Sequence, residues 1–132
     1  MLSRRAIILA LSMAALGLTP GPVLAHCGPH VKLAGETTYA MEMDAIRQLK
    51  VANVQLDATY RTLLALLDPA GKKLLIKAER TWIQYRDEEC NFNADQYRGG
   101  SLSPVSYGTC QIRLTRQHEC ELQLMVRDYS PH

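Results

Sequence analysis

Long apolar runs are absent from this sequence after residue 25, and aromatic residues are few, with one Trp and one Phe among 132 residues. A membrane-spanning helix needs about 20 consecutive apolar residues, so we expect no membrane anchor beyond that point. The sequence also has no HExxH motif, no Gly-rich phosphate-binding loop and no nucleophile motif. We therefore expect a binding protein rather than an enzyme, with no catalytic residues and no cofactor.

An excess of charge of one sign is also missing. The chain has 15 basic and 13 acidic residues. Arg4 and Arg5 account for the whole difference, so the chain is neutral once they are removed. Binding to nucleic acid requires a clustered basic patch, and no nucleic-acid partner is expected.

The first 25 residues have the pattern of a secretory signal peptide. Arg4 and Arg5 precede an apolar run over residues 6–18, and the small residue Ala25 follows Val23-Leu24. The apolar run is too short to span a bilayer. We predict cleavage after Ala25, a mature chain that begins at His26, and a periplasmic or secreted location.

Three later stretches carry apolar residues at the steps of three and four that are typical of amphipathic helices. Short connections between long helices make neighbours antiparallel. The sequence therefore predicts an all-α fold, a small antiparallel three-helix bundle over residues 37–132 with an N-terminal arm over residues 26–36. The expected core stripes are Ala45, Leu49, Ala52, Leu56, Tyr60, Leu63 and Leu67; Leu75, Ala78, Trp82, Tyr85 and Phe92; and Tyr107, Gln111, Leu114, His118, Glu121, Leu122 and Met125.

The expected helix ends follow from capping residues. Thr37 or Thr38 is the predicted N-cap of the first helix, and Asp68-Pro69 both ends it and starts the second. The second helix is expected to fade near Tyr97, and Ser103-Pro104 is the predicted start of the third.

Four cysteines, all after the predicted cleavage site, indicate two disulfides in an exported domain. Cys90 and Cys110 are equally distant from the loop centre near Gly100, which places them at the same height on antiparallel helices. Cys120 lies farther along the third helix, so by elimination Cys27 of the arm is its predicted partner. The bundle is thus expected to be stapled by disulfides.

The segment over residues 78–90 carries the most specific pattern in the chain, AERTWIQYRDEEC. It resembles the A-x-R-x-W-I-x-aromatic-R-D-x-x-C signature of the LprI-like lysozyme-inhibitor N-terminal domain family. Gly99-Gly100-Ser101, Pro104 and Cys110 resemble the turn and the cysteine that follow in that family. The resemblance covers roughly residues 37–124. Asp44 stands where the family usually has a cysteine, His118 stands where it has Arg, and Cys120 is an additional cysteine.

The resemblance implies an exported protein that binds and blocks a c-type lysozyme in the cell envelope. An alternative is a general periplasmic helical module that binds another envelope protein or peptidoglycan. A third possibility is metal handling by His26, Cys27 and His30 of the arm. Oxidation of the thiol would remove one of those ligands, so no metal site is expected.

The signature residues Trp82, Tyr85, Arg86 and Asp87 have two interpretations. The two aromatic residues are either binding anchors or core residues, and their place on the apolar stripe favours the core. Arg86 and Asp87 either reach a lysozyme's catalytic carboxylates or hold helices together through charge-assisted hydrogen bonds, and the structural role is favoured.

The predicted partner-binding segment is the second loop, Arg98, Gly99, Gly100, Ser101 and Leu102. Loops that a rigid scaffold holds often carry recognition, and a stiffened loop loses less entropy on binding. The alternative is a simple turn in which glycine supplies a positive φ. A local acidic patch of Asp87, Glu88, Glu89 and Asp95 is the expected attraction for a cationic lysozyme.

Overall fold

The computed structural model describes residue 28 and residues 30–131. Helix α1 spans Thr38–Leu66, α2 spans Pro69–Asp95 and α3 spans Leu102–Tyr129, and the described residues form no strand. The predicted all-α, three-helix fold is confirmed. The predicted signal peptide, His26 and Cys27 lie outside the described residues.

Capping residues fix two of the helix starts as predicted. The Thr37 side chain accepts a hydrogen bond from the Ala40 N–H at 3.1 Å. The Asp68 carboxylate accepts one from the Gly71 N–H at 2.7 Å, and Pro69 occupies the first position of α2. These side chains satisfy N–H groups that have no partner within their own helix.

The predicted start of α3 at Ser103-Pro104 is wrong by two residues, because the helix begins two residues earlier. The helix begins at Leu102, with Ser101 as an N-cap that makes no side-chain capping bond. The Ser103 hydroxyl donates instead to the carbonyl oxygen of Ala94, 3.4 Å away across the turn. The Ser103 side chain thus links the end of α2 to the start of α3 and does not cap the helix.

Helix α3 is the central element of the bundle. α1 and α2 each pack along α3 and make few contacts with one another. Nine buried residues lie on α3, compared with four on α1 and two on α2. α2 runs antiparallel to α3, whereas α1 runs parallel to it, so the arrangement is the expected up-down-up.

The apolar core lies between α1 and α3, where Leu56, Leu63 and Leu122 form a buried cluster with Trp82 of α2 packed against it. Complete burial of a Leu side chain contributes about 1.5–3 kcal/mol. Towards the other end, a Cβ atom added at Gly108 would lie 2.9 Å from the Cβ of Ala45. Glycine is required at this crossing because the two helix backbones approach so closely.

The predicted core stripe of α1 is confirmed, and that of α3 is correct apart from Glu121 and Met125, which are exposed. The stripe of α2 is wrong in three positions. Ala78, Tyr85 and Phe92 face solvent, while Leu75 and Trp82 are half-buried. Ala78 follows Leu75 by three residues, and Tyr85 follows Trp82 by three. Three residues turn a helix by about 300°, which is about 60° short of a full turn. Ala78 and Tyr85 therefore lie to one side of the face that α3 covers.

The arm is held on α1 by a polar clamp. The Asp44 carboxylate accepts a hydrogen bond from the Ala34 N–H at 2.8 Å and another from the Gln48 amide at 2.8 Å. The same amide of Gln48 donates to the carbonyl oxygen of Lys32 at 2.9 Å. Arg116 of α3 donates to the Gln48 side-chain oxygen at 2.9 Å. The clamp therefore joins arm, α1 and α3.

Candidate protein-binding site

A disulfide joins Cys90 of α2 to Cys110 of α3, with their Cα atoms 5.4 Å apart. This is the pairing that the hairpin geometry predicts. Cys90 is fully buried and Leu114 and Trp82 pack against the pair. The disulfide closes the hairpin two turns below the loop, so both helix ends that carry the loop are fixed. Cys120 is buried on α3, and its predicted pairing with Cys27 stays a prediction because Cys27 lies outside the described residues.

The loop itself is short and exposed. Gly99 has a φ of +77°, a conformation that L side chains rarely adopt, while Gly100 does not have a positive φ. The Gly100 N–H donates to the Tyr97 carbonyl at 2.9 Å, and the Ser103 N–H donates to the Gly100 carbonyl at 3.1 Å. Arg98, Gly99, Gly100, Ser101 and Leu102 are all exposed. The geometry thus provides both the turn and an accessible, hydrogen-bonded tip.

Arg98 is not a free cation at this tip. Its guanidinium donates two hydrogen bonds to the same Asp95 oxygen, at 2.8 and 2.6 Å. The side chains of Arg98 and Asp95 are 80% and 52% exposed. Exposed ion pairs of this kind contribute only about 0–1 kcal/mol, so a carboxylate of a partner can compete for the guanidinium at low cost.

Arg86 of the signature run lies between all three helices. Its Nη1 atom is 3.3 Å from the Asn53 side-chain oxygen on α1 and 3.3 Å from the Thr115 hydroxyl on α3. Its Nε atom donates to the Asp87 carboxylate at 3.0 Å. The Arg86 side chain is 13% exposed. These contacts agree with the structural role that the sequence favoured, because the guanidinium bridges helices and does not reach outward.

Asp87 completes this network. The same carboxylate oxygen that accepts from Arg86 also accepts from the Gln111 amide of α3 at 3.0 Å, and Gln111 is bound in turn to the Tyr107 hydroxyl at 2.9 Å. Gln111 is only 7% exposed. Buried polar groups stabilise a fold only when they are paired. Asp87 therefore provides the partner that lets a polar Gln occupy the core stripe of α3.

The two aromatic residues of the signature have different environments. Trp82 is half-buried, packs against both core clusters, and stacks on His118. This placement agrees with the predicted core role. Tyr85 is 52% exposed, so its predicted core role is wrong. Its side chain lies on a side of α2 that α3 does not cover.

The acidic patch is weaker than the sequence indicates. Asp87 is bound by Arg86 and Gln111, and Asp95 is bound by Arg98. Glu89 accepts a hydrogen bond from the Asn93 amide at 3.1 Å. Glu88 alone among these four carboxylates makes no hydrogen bond or ion pair within the described part of the chain, and it is exposed.

Most partners of the signature run are not predictable from one sequence. His118 lies on the expected core stripe of α3, and its Nε2 atom lies 2.7 Å from the Glu79 carboxylate. The roles of Asn53 and Thr115 had no signal in a single sequence, because each is an ordinary polar residue on a helix. Thr115 is fully buried, and only the three-dimensional packing shows that Arg86 reaches it.

Within residues 28 and 30–131, no group of three or more His, Cys, Asp or Glu side chains is placed to hold a metal ion. None of the three helices is both long enough and apolar enough to cross a membrane. The metal hypothesis for the arm concerns His26 and Cys27, which lie outside these residues.

Comparisons with known proteins agree with the family resemblance of the signature run. The chain is 33% identical over 95 residues to "Uncharacterized protein R02472" of Rhizobium meliloti (strain 1021), which covers 62% of this chain and 68% of that protein. No solved structure matches the chain. The family model "Lysozyme inhibitor LprI" matches residues 31–122, which include the clamp on the arm, the disulfide and the signature run. The chain belongs to the LprI lysozyme inhibitor family.

Proposed function

We propose that the protein is an exported inhibitor that binds a c-type lysozyme in the cell envelope and blocks its substrate cleft. The observation that carries the proposal is the match of the LprI lysozyme inhibitor model to residues 31–122. That match spans all of α1 and α2 and most of α3. The match thus supports the proposal over most of the folded bundle and not over a fragment of it.

Inhibition by binding alone, without catalysis, agrees with how the polar side chains are used. A catalytic site on α2 and α3 would most readily use the polar side chains of Glu79, Arg86, Asp87 and His118. Each of them is engaged by a side chain of another helix or of its own. A hydrolase requires convergent groups in a cleft, whereas these groups converge on one another between the helices.

The loop from Arg98 to Leu102 is the proposed contact with the cleft. It is exposed, it is fixed from below by the Cys90–Cys110 disulfide, and its cation is held only by a surface ion pair. A rigid tip loses little conformational entropy on binding. The glycine at position 99 keeps one side of the tip free of side chain, which lets the backbone approach a groove.

The test is inhibition of a c-type lysozyme by the mature, oxidised protein, measured on cell-wall substrate, beside an Arg98→Ala/Leu102→Ala double variant. The double variant is expected to inhibit at least fivefold less well, equivalent to about 1 kcal/mol. The matched control is Arg61→Ala/Leu66→Ala. It removes a similarly exposed ion-paired Arg and an exposed Leu from the other end of the bundle, and it is expected to inhibit like wild type.

The outcomes separate the parts of the proposal. Equal inhibition by wild type and the loop variant removes the loop from the contact surface and leaves the inhibitor function intact. Absence of inhibition by oxidised wild-type protein contradicts the function. The neutral charge of the chain after Arg4 and Arg5 then favours a general periplasmic module, because an electrostatically steered inhibitor of a cationic enzyme is expected to be acidic.

A further inference from the structure

The solvent side of α2 carries an apolar and aromatic stripe. Leu74 is 70% exposed, Tyr85 is 52% exposed and Phe92 is 78% exposed. Spacings of three, four and seven residues keep a set of side chains on one face of a helix. All members of the set are exposed, and they are Leu74, Ala78, Thr81, Tyr85, Glu88 and Phe92.

Exposure of the one Phe of the chain is unfavourable for an isolated protein. Phe and Tyr bury about 150–250 Å² each when they are covered, but the described chain leaves most of Phe92 and about half of Tyr85 exposed. Such residues are typical anchors of protein interfaces, where a few aromatic side chains carry most of the binding energy. The face therefore has the composition of a contact surface.

Charge differs between the two halves of α2. The first half carries Lys72, Lys73, Lys77 and Arg80 together with Glu79, and the second half carries Asp87, Glu88, Glu89 and Asp95 together with Arg86. Glu88 is the one charged residue of the exposed stripe itself. In the second half the outward carboxylate is that of Glu88, which lies between Tyr85 and Phe92 at spacings of three and four residues. Since Glu88 has no partner within the described residues, its charge is available to a cation on another molecule.

The loop alone is too small to hold a protein partner. A stable interface covers about 800 Å² on each side and involves about 20–30 residues, whereas the loop provides five. Phe92 lies one helical turn before Asp95, where α2 ends and the loop begins. The end of the stripe that carries Tyr85, Glu88 and Phe92 is therefore the exposed surface of α2 nearest to the proposed tip.

We propose that Tyr85, Glu88 and Phe92 form the docking face for the lysozyme, and that this face supplies most of the affinity while the loop enters the cleft. The proposal rests on the proposed function, because it commits to a basic protein as the occupant. Charge complementarity selects that occupant: an unpaired carboxylate between two aromatic anchors fits a surface that presents Lys or Arg beside apolar groups. The rings displace water, and Glu88 steers and orients the approach.

The test measures equilibrium binding of a c-type lysozyme to the mature, oxidised chain and to two variants, at low and at physiological ionic strength. Phe92→Ala is expected to weaken binding at least tenfold at both ionic strengths. Glu88→Lys is expected to weaken binding at least tenfold at low ionic strength and less at physiological ionic strength, because salt screens charges exposed at a surface. Both variants are expected to melt like wild type, since both side chains are exposed.

Two control variants match these changes elsewhere on the bundle. Val51→Ala removes an exposed apolar side chain, 56% exposed, from α1. Asp128→Lys makes the same change of charge as Glu88→Lys at an exposed position near the end of α3. Both controls are expected to bind like wild type. If wild type binds and all four variants bind equally well, the docking face is refuted and the inhibitor function stands. If wild type does not bind lysozyme, the proposed function and the docking face are both refuted.

Discussion

The indole ring of Trp82 lies stacked on the imidazole ring of His118, with ring centroids 4.1 Å apart and planes inclined by 14°. The Nε2 atom of His118 is bound to Glu79, and the Arg86 guanidinium lies 5.3 Å from the centre of the Trp82 ring. Stacking and a cation over an aromatic face each stabilise a contact by about 0.5–1.5 kcal/mol. The signature residues therefore fasten α2 to α3, and the proposed contact surface consists of exposed residues around them.

Trp82→Ala is expected to lower the free energy of unfolding by about 3 kcal/mol, at the low end of the range for loss of a Trp side chain from a core, because Trp82 is half-buried. Urea denaturation followed by circular dichroism measures the change. Tyr85→Ala is the control on the same helix. Its side chain faces solvent, so its expected change is within about 0.5 kcal/mol of zero. Equal effects of the two substitutions would contradict the assignment of Trp82 to the core.

Asp44→Asn is expected to weaken the hold of the arm on α1, because an amide oxygen accepts hydrogen bonds less strongly than a carboxylate oxygen. The hydrogen bond from the Ala34 N–H, with those from Gln48 and Arg47, lowers the pKa of Asp44 below its ordinary value of 3.8. Because the pKa of the folded state is the lower one, the clamp contributes its full stability above pH 3.8 and loses it as the pH falls through the folded-state pKa. The asparagine variant removes this dependence on pH.

Hydrogen exchange of the Ala34 amide measures this weakening. In the wild type, protection of the Ala34 amide is expected at neutral pH and is expected to fall on acidification. In Asp44→Asn, protection at neutral pH is expected to be lower than in the wild type and not to show this fall. Asp57→Asn is the matched control on α1, since Asp57 makes an exposed ion pair with Arg61 and does not touch the arm. Protection of Ala34 that does not respond to Asp44→Asn would show that other contacts hold the arm.

Gly108→Ala is expected to destabilise the protein by about 1–3 kcal/mol, as extra atoms in a packed contact do, although alanine favours a helix over glycine by about 1 kcal/mol. The added Cβ would lie 2.9 Å from the Cβ of Ala45 and push α1 away from α3. Thermal and urea denaturation measure the loss. Adding Ala45→Gly removes the opposing methyl group, and recovery of part of the loss in that double variant would identify the contact as the cause.

The disulfides are tested by a peptide map of the exported protein without reduction. We expect a Cys90–Cys110 peptide, a Cys27–Cys120 peptide, no titratable thiol, and an intact mass that begins at His26. Replacement of Cys90 and Cys110 by serine is expected to cost about 3 kcal/mol, the value for a closed loop of 20 residues in the chain-entropy model. A peptide that joins Cys110 to Cys120 would contradict the hairpin, and a mass that includes residues 1–25 would contradict the cleavage site.

The sequence determines the local features of the fold most clearly. Thr37, Asp68 and Pro69 act through their own backbone neighbours, so their roles follow from residue type and spacing. The Cys90–Cys110 pair follows from the symmetry of a hairpin about its loop. The buried side of α2 does not follow, because two apolar stripes run along this helix and α3 covers only one of them. Periodicity shows that an apolar stripe runs along a helix, but it does not show which of two stripes packs against another helix.

The clamp shows the same limit for the arm. Asp44 occupies the position at which the family resemblance predicts a cysteine, and sequence alone shows only that a covalent link is missing there. The hydrogen bonds that hold the arm at this position involve Gln48 one turn later, Lys32 and Ala34 of the arm, and Arg116 of α3. These residues are far apart in sequence and have no distinctive spacing. Only the packing of α1 on α3 brings them together.

The central position of α3 has a consequence for the order in which the chain acquires structure during synthesis. α1 and α2 emerge first, yet they have little to pack against until α3 has been made, because both bury their apolar residues on it. Isolated helices are only marginally stable in water. The nascent chain therefore gains most of its buried contacts between helices only when its third helix is complete.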